Sequence, residues 1–225
     1  MCFSAGASFA GGAVISAIGV ATLKQSNKKV QMPFASIPLI FGIQQISEGF
    51  VWLALQSPGH EAGLKTAMYV FLFAAVILWP VMLPASILLM EKVKKRRTTL
   101  KILLMVGIIT ALYYGIGMLV LEVNPEILGH HIFYASGYPK SLVIPIFCLY
   151  IIATITPLFV SSTRNLYIMG VLITVSCLLS GIFYTKCLTS VWCFFAALIS
   201  VVIFFIIKGL NKERIYLNSF SSFFD

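Results

Sequence analysis

The sequence predicts an all-α membrane protein: a bundle of seven transmembrane helices with its N-terminus outside and its C-terminus in the cytoplasm. Three observations carry this expectation. Of the 225 residues, 60% are hydrophobic and only 10% are charged, whereas a soluble domain is about 45–50% apolar and about 25% charged. So little polar surface cannot cover a water-soluble core. The apolar residues gather in runs of about 20, the length a helix needs to cross a ~30 Å hydrocarbon layer, and the cations fall between those runs on alternate sides. A cytosolic enzyme, a disordered chain and a secreted disulfide-rich module are excluded.

In chain order the runs cover residues 4–23, 34–56, 67–90, 100–121, 142–160, 165–185 and 187–208. The first has no charged residue from Met1 to Leu23, so it lacks the basic start of a signal peptide and reads as a retained helix. Ser8, Gly12, Ser16 and Gly19 repeat along it at three- and four-residue steps. Such a stripe suits close helix contact, either inside the bundle or between protomers of a homo-oligomer. The third run carries Trp79-Pro80 near its middle and Pro84 one turn on; proline there frees a carbonyl that a neighbour must satisfy. The fourth brings Tyr113 and Tyr114, the fifth Tyr150, the sixth Ser176, Cys177 and Ser180, and the seventh Ser190 and Trp192. No run alternates with period two, which disfavours a β-barrel. Residues 1–210 are expected to form one transmembrane domain and 211–225 a short cytoplasmic tail.

Orientation follows from the cations. Lys24, Lys28 and Lys29, then Lys92, Lys94, Lys95, Arg96, Arg97 and Lys101, then Arg164, then Lys208, Lys212 and Arg214 fall on one side, and Lys65, Lys140 and Lys186 on the other. The positive-inside rule makes the richer side cytoplasmic. The formal net charge of +9 therefore carries no hint of nucleic acid. The cluster Lys92, Lys94, Lys95, Arg96 and Arg97 is expected to face anionic lipid headgroups, at roughly 1 kcal/mol per residue near the surface.

The second run contains what hydrocarbon should exclude. Gln44, Gln45, Glu48 and Trp52 are spaced to share one helical face, and Glu48 is the one acidic residue well inside a run. It lies roughly 4–5 Å outward of the run's midpoint at 1.5 Å per residue. An acidic side chain at such depth costs on the order of 2.5–3.5 kcal/mol and by default marks a site. No Lys or Arg lies at similar depth in another run, so the alternatives are three. Glu48 is a neutral hydrogen-bonded acid that binds helices together, a proton-exchanging acid, or a carboxylate facing a cation or a water-filled cavity. The polar and aromatic groups at comparable depth lean toward the outer leaflet, which predicts an outward-facing cavity with Glu48 near its floor. Its expected lining is Glu48, Gln44, Gln45, Trp52, Trp79, Tyr113, Tyr150, Ser190 and Trp192.

The longest connection, 122–141, holds Glu122, Glu126, His130, His131 and Tyr134. It is expected to be a solvated loop or a gate over the cavity. Zinc is a candidate ligand for His130 and His131, although adjacent residues diverge and the chain shows no recognisable four-ligand spacing. No other cofactor is expected. Five cysteines, Cys2, Cys148, Cys177, Cys187 and Cys193, leave open a Cys2–Cys187 bridge near the outer face. Phosphate-binding glycine loops, nucleophile elbows and dinucleotide fingerprints are absent from the sequence.

Several stretches together resemble a known group. They are Met1-Cys2-Phe3-Ser4, Pro38 through Gln44-Gln45-x-x-Glu48-Gly49-x-x-Trp52, Trp79-Pro80, His130-His131, Ser161-Ser162-x-Arg164 and Ser190-Val-Trp192-Cys193-Phe-Phe-Ala-Ala197. The chain resembles, over nearly its whole length, an uncharacterised family of prokaryotic integral membrane proteins catalogued as a domain of unknown function. The resemblance implies a bacterial, multi-pass inner-membrane protein and implies no activity; Lys186 and Cys187 lie outside its pattern. The leading functional expectation is small-molecule or ion transport or binding at the Glu48 cavity. The alternatives are an intramembrane metal-dependent lipid hydrolase using His130 and His131, and a structural accessory subunit.

Overall fold

The computed structural model describes residues 4–57, 61–163, 165–183 and 195–221, with the side chains of 61, 62, 183 and 212–221 excepted. It is helical throughout except for one hairpin. Helix α1 (Ala5–Gln25) opens at Ser4, whose hydroxyl accepts from the Ala7 N–H at 3.2 Å. A 3-10 turn (Lys29–Gln31) and the short α2 (Met32–Ala35) lead into α3 (Ile37–Gln56), with Pro33 and Pro38 in the first turns of the two helices, where their missing N–H groups cost nothing. Next come α4 (Glu61–Leu72), a π-helical segment (Phe73–Leu78) and α5 (Trp79–Met90), running on as one continuous rod. A tight turn at residues 91–93 leads to α6 (Lys94–Val120). Strands β1 (Val123–Leu128) and β2 (His131–Ser136) follow, then α7 (Lys140–Val160), α8 (Leu166–Phe183) and α9 (Ala196–Ser221).

Five stretches are long and apolar enough to cross a membrane: Ala5–Gln25, Lys29–Gln56, Gly63–Met90, Lys94–Val120 and Lys140–Val160. The sixth and seventh expected runs correspond to shorter apolar helices, Leu166–Ile182 and Ala196–Asn211 within the described residues. The expected tail begins inside α9, which continues helical to Ser221. On α6, Ile102, Met105, Ile109, Leu112, Ile116 and Leu119 are each more than half exposed. Their alternating steps of three and four put them on one stripe, an outward apolar face suited to lipid and not to water.

Between helices in hydrocarbon, burial of apolar surface drives little, and close approach and hydrogen bonds do the holding. The small-residue stripe of α1 is used inside the bundle, against α3. A Cβ on Gly19 would lie 2.6 Å from the Leu39 Cα, and one on Gly12 would lie 3.0 Å from the Gly42 carbonyl oxygen. At the far end of the chain the Asn211 side-chain amide donates to the Gln25 carbonyl and ties α9 to the end of α1.

Two apolar clusters form the interior. One gathers Phe34, Ile37, Trp79, Leu83, Ile87, Leu100, Leu158, Met169 and Ile203. The other gathers Val51, Trp52, Met68, Phe71, Val123 and Ile132. The connection expected as a loop is an antiparallel hairpin, with Val123 paired to Ser136 and Leu128 to His131. Its two-residue turn starts at Gly129, whose φ of +62° suits the tight hairpin turns that demand positive φ at that position. Val123 and Ile132 point into the second cluster, and the Tyr134 ring stacks on Phe71 at 5.1 Å. The hairpin therefore caps the end of α3 that carries Trp52.

Candidate functional site

The polar face of α3 falls between the two apolar clusters, since Ile37 belongs to the first and Val51 and Trp52 to the second. Glu48 is 0% exposed, Gln45 1% and Gln44 2%. The Gln45 Nε2 donates to Glu48 Oε2 at 3.0 Å, three residues along the same helix. From the third span the Trp79 Nε1 donates to Gln44 Oε1 at 2.8 Å, and the Trp79 ring packs on Phe41 at 4.2 Å. An indole can only donate, so this bond fixes which end of the Gln44 amide faces α5. Interhelical bonds of this kind contribute about 0.6–2 kcal/mol. Glu48, Gln44, Gln45 and Trp79 thus form one buried centre. Amide groups both donate and accept, so such a shell can serve a carboxyl group in either protonation state.

Three further members of the expected lining make contacts of their own. Trp52, one turn along α3, packs with Met68, Phe71 and the hairpin, and its indole N–H has no hydrogen-bond partner among the described residues. Tyr150 donates to the Ala75 carbonyl at 2.7 Å. Tyr113 belongs to a tyrosine group, 5.6 Å from the Tyr114 ring and 5.5 Å from Tyr138. Spacing along a helix reveals a shared face but not which neighbour that face meets, so depth alone does not reveal the partners of these tyrosines. Ser190 and Trp192 lie outside the described residues, as do Cys2, Cys187 and Cys193. Cys148 and Cys177 are free thiols.

The histidine pair divides. His130 is exposed in the hairpin turn and His131 is 9% exposed at the start of β2. Among the described residues no three His, Cys, Asp or Glu side chains come together to hold a metal ion. Burial, followed by the neighbouring His130, moves His131 below its ordinary 6.5. A histidine held neutral in the folded state stabilises it above its ordinary value and loses that contribution as pH falls through it. Amide protection across 131–136, taken relative to the intrinsic exchange rate at each pH, is accordingly expected to fall on acidification below about pH 6.5, and His131→Gln to remove that dependence.

A second polar node lies at the end that carries the basic cluster. Glu91 is 2% exposed. Its Oε1 accepts from the Lys92 and Val93 N–H groups, both at 2.9 Å, and from the Ser162 hydroxyl at 2.5 Å. Its Oε2 accepts from the Ser162 N–H at 2.6 Å and the Ser161 hydroxyl at 3.2 Å. Burial alone would raise this carboxyl, but the bonds from Ser162, Val93 and Ser161 outweigh it and bring it to about 2. The Arg97 Nη1 closes the same turn by donating to the Leu88 and Glu91 carbonyls, at 3.1 and 2.9 Å. Sequence reasoning missed Glu91. An acid beside a basic run reads as part of the solvated charge, and only its abutting the end of an apolar run hinted otherwise.

Fold and site together define a helical membrane protein built around a buried carboxyl group. A family model described as "Family of unknown function (DUF6629)" matches residues 1–215, and the chain belongs to that family. No curated protein and no solved structure matches it.

Proposed function

We propose that the protein is a multi-pass membrane protein of seven crossings, N-terminus outside, that binds or transports a small molecule or ion through Glu48. The supporting observation is the complete burial of this carboxyl beside two glutamine amides, in a polar layer between two apolar clusters. A carboxyl so enclosed is costly to hold, and proton or cation exchange is the chemistry that repays it. The structure is read as an occluded state. The hairpin seals the cluster around Trp52 one turn from Glu48, and its departure would open the centre to the outside. The cell inner membrane is the expected location. The exposed Lys92, Lys94, Lys95 and Arg96 would meet anionic headgroups on the cytoplasmic side, while Arg97 holds the turn.

The test is reconstitution in liposomes carrying an internal pH indicator, together with infrared spectra of the carboxyl group. Glu48→Gln is expected to keep expression and folding. It should remove both the proton flux down an imposed gradient and a pH-sensitive carboxylic-acid band. A wild-type protein with no such band across the physiological pH range, and flux unchanged in the variant, would leave Glu48 as a structural tie between helices.

A further inference from the structure

The third span passes from α-helical to π-helical bonding at Phe73–Leu78. At the end of Phe73–Leu78 the Trp79 N–H donates to the Ala74 carbonyl, five residues back in place of four. In that register the next donor would be residue 80, serving Ala75. Residue 80 is proline and has no N–H. The Tyr150 hydroxyl of α7 donates to the Ala75 carbonyl instead, at 2.7 Å.

In the α register the partner of Ala75 would change. The Trp79 N–H would reach the carbonyl four residues back, and that carbonyl is Ala75. The carbonyl therefore has a backbone donor in the α register and depends on Tyr150 in the observed one. The side chain of that same Trp79 donates to Gln44 on α3, so the register is tied to the polar centre. Local π turns occur often at functional sites, and here the sequence supplies both bonding schemes.

We propose that Phe73–Leu78 is a register switch. In the observed register the Tyr150 hydroxyl serves the Ala75 carbonyl that Pro80 cannot, in the α register the Trp79 N–H serves it, and the exchange carries the Trp79 indole on and off Gln44. A one-residue change of register turns a helix by about 100°, enough to break the indole bond and unpack the ring from Phe41. Tyr150 is the latch of the observed state. The inference concerns motion and does not depend on what Glu48 exchanges.

The experiment uses the full chain in lipid nanodiscs and two readouts: amide hydrogen exchange along the third span and α6, and the indole N–H resonance of Trp79, assigned by its loss in Trp79→Phe. Tyr150→Phe keeps the ring and removes the hydroxyl that serves the Ala75 carbonyl. Exchange should quicken about tenfold, the worth of one hydrogen bond, at residues 74–79 and not along α6, and a second Trp79 indole resonance should appear. Unchanged exchange with a single unmoved resonance overturns the proposal, and so does a rise spread evenly over α6 and the third span. If Tyr150→Phe does not fold, Gln44→Leu releases the indole from the other side under the same readouts. Faster exchange confined to 74–79 is then required, and its absence overturns the switch.

Discussion

Gly107→Ala is expected to unseat α6 from the third span and to lower thermal stability far more than the same methyl addition at Gly115. A Cβ at Gly107 would overlap the Pro80 carbonyl oxygen and lie 2.7 Å from the Pro80 carbon. Both are backbone atoms, so no rotamer change relieves the overlap and the helices must part. Alanine is the better helix former by about 1 kcal/mol, but an inserted methyl group with nowhere to go costs up to roughly 3 kcal/mol. The clash decides the sign. Gly115→Ala, two turns further along α6, is the control: its Cβ would meet only the Ile77 Cδ1 at 3.5 Å, ordinary contact. Thermal unfolding in detergent should show Gly107→Ala well below the parent and Gly115→Ala at or above it. Equal melting temperatures would mean that α6 and α5 do not meet as described.

The second large effect belongs to Glu91. Replacing its carboxylate by an amide turns one acceptor oxygen into a donor that faces the N–H groups and hydroxyls now bonded to it. The turn at 91–93 then loses its tie to Ser161 and Ser162. Lowering the carboxyl from its ordinary 4.5 to about 2 corresponds to roughly 3 kcal/mol. The sign follows from the lowered value. The contribution is complete above 4.5 and is lost as pH falls from 4.5 through about 2. Glu91→Gln should therefore melt lower than the parent at neutral pH, and the two curves should converge on strong acidification. Ser162→Ala should show a smaller loss in the same direction. A variant matching the parent at neutral pH would show that the two turns are held by other contacts.

What is legible in the sequence, and what is not, divides along physical lines. The apolar runs are legible because hydrocarbon demands about 20 consecutive apolar residues per crossing, a local property of the chain. Five of them stand in the structure as helices of that kind. Glu48 and its glutamines are legible because a polar face in an apolar run is conspicuous and helical spacing alone puts the three together. The hairpin is not: its strands are short and its faces mixed. Gly129-His130 between two six-residue strands is the one signal available for it. The bond of Tyr150 to the Ala75 carbonyl and the ring contacts of Tyr113 with its tyrosine neighbours are not legible either, because depth in a membrane does not say which helices touch.

By itself, the sequence determined that this chain is a helical membrane protein, where its apolar stretches lie, and that its second one carries a carboxyl group out of place in hydrocarbon. Those facts follow from composition and period. Only the tertiary structure decided that Trp79 of the third span meets Gln44, that Tyr150 serves the carbonyl left by Pro80, and that Glu91 joins two distant turns. Each of these is a bond between groups 35 to 75 residues apart. Which helix lies against which is set by the close approach of glycines and by donors in search of acceptors, and a linear pattern does not encode either.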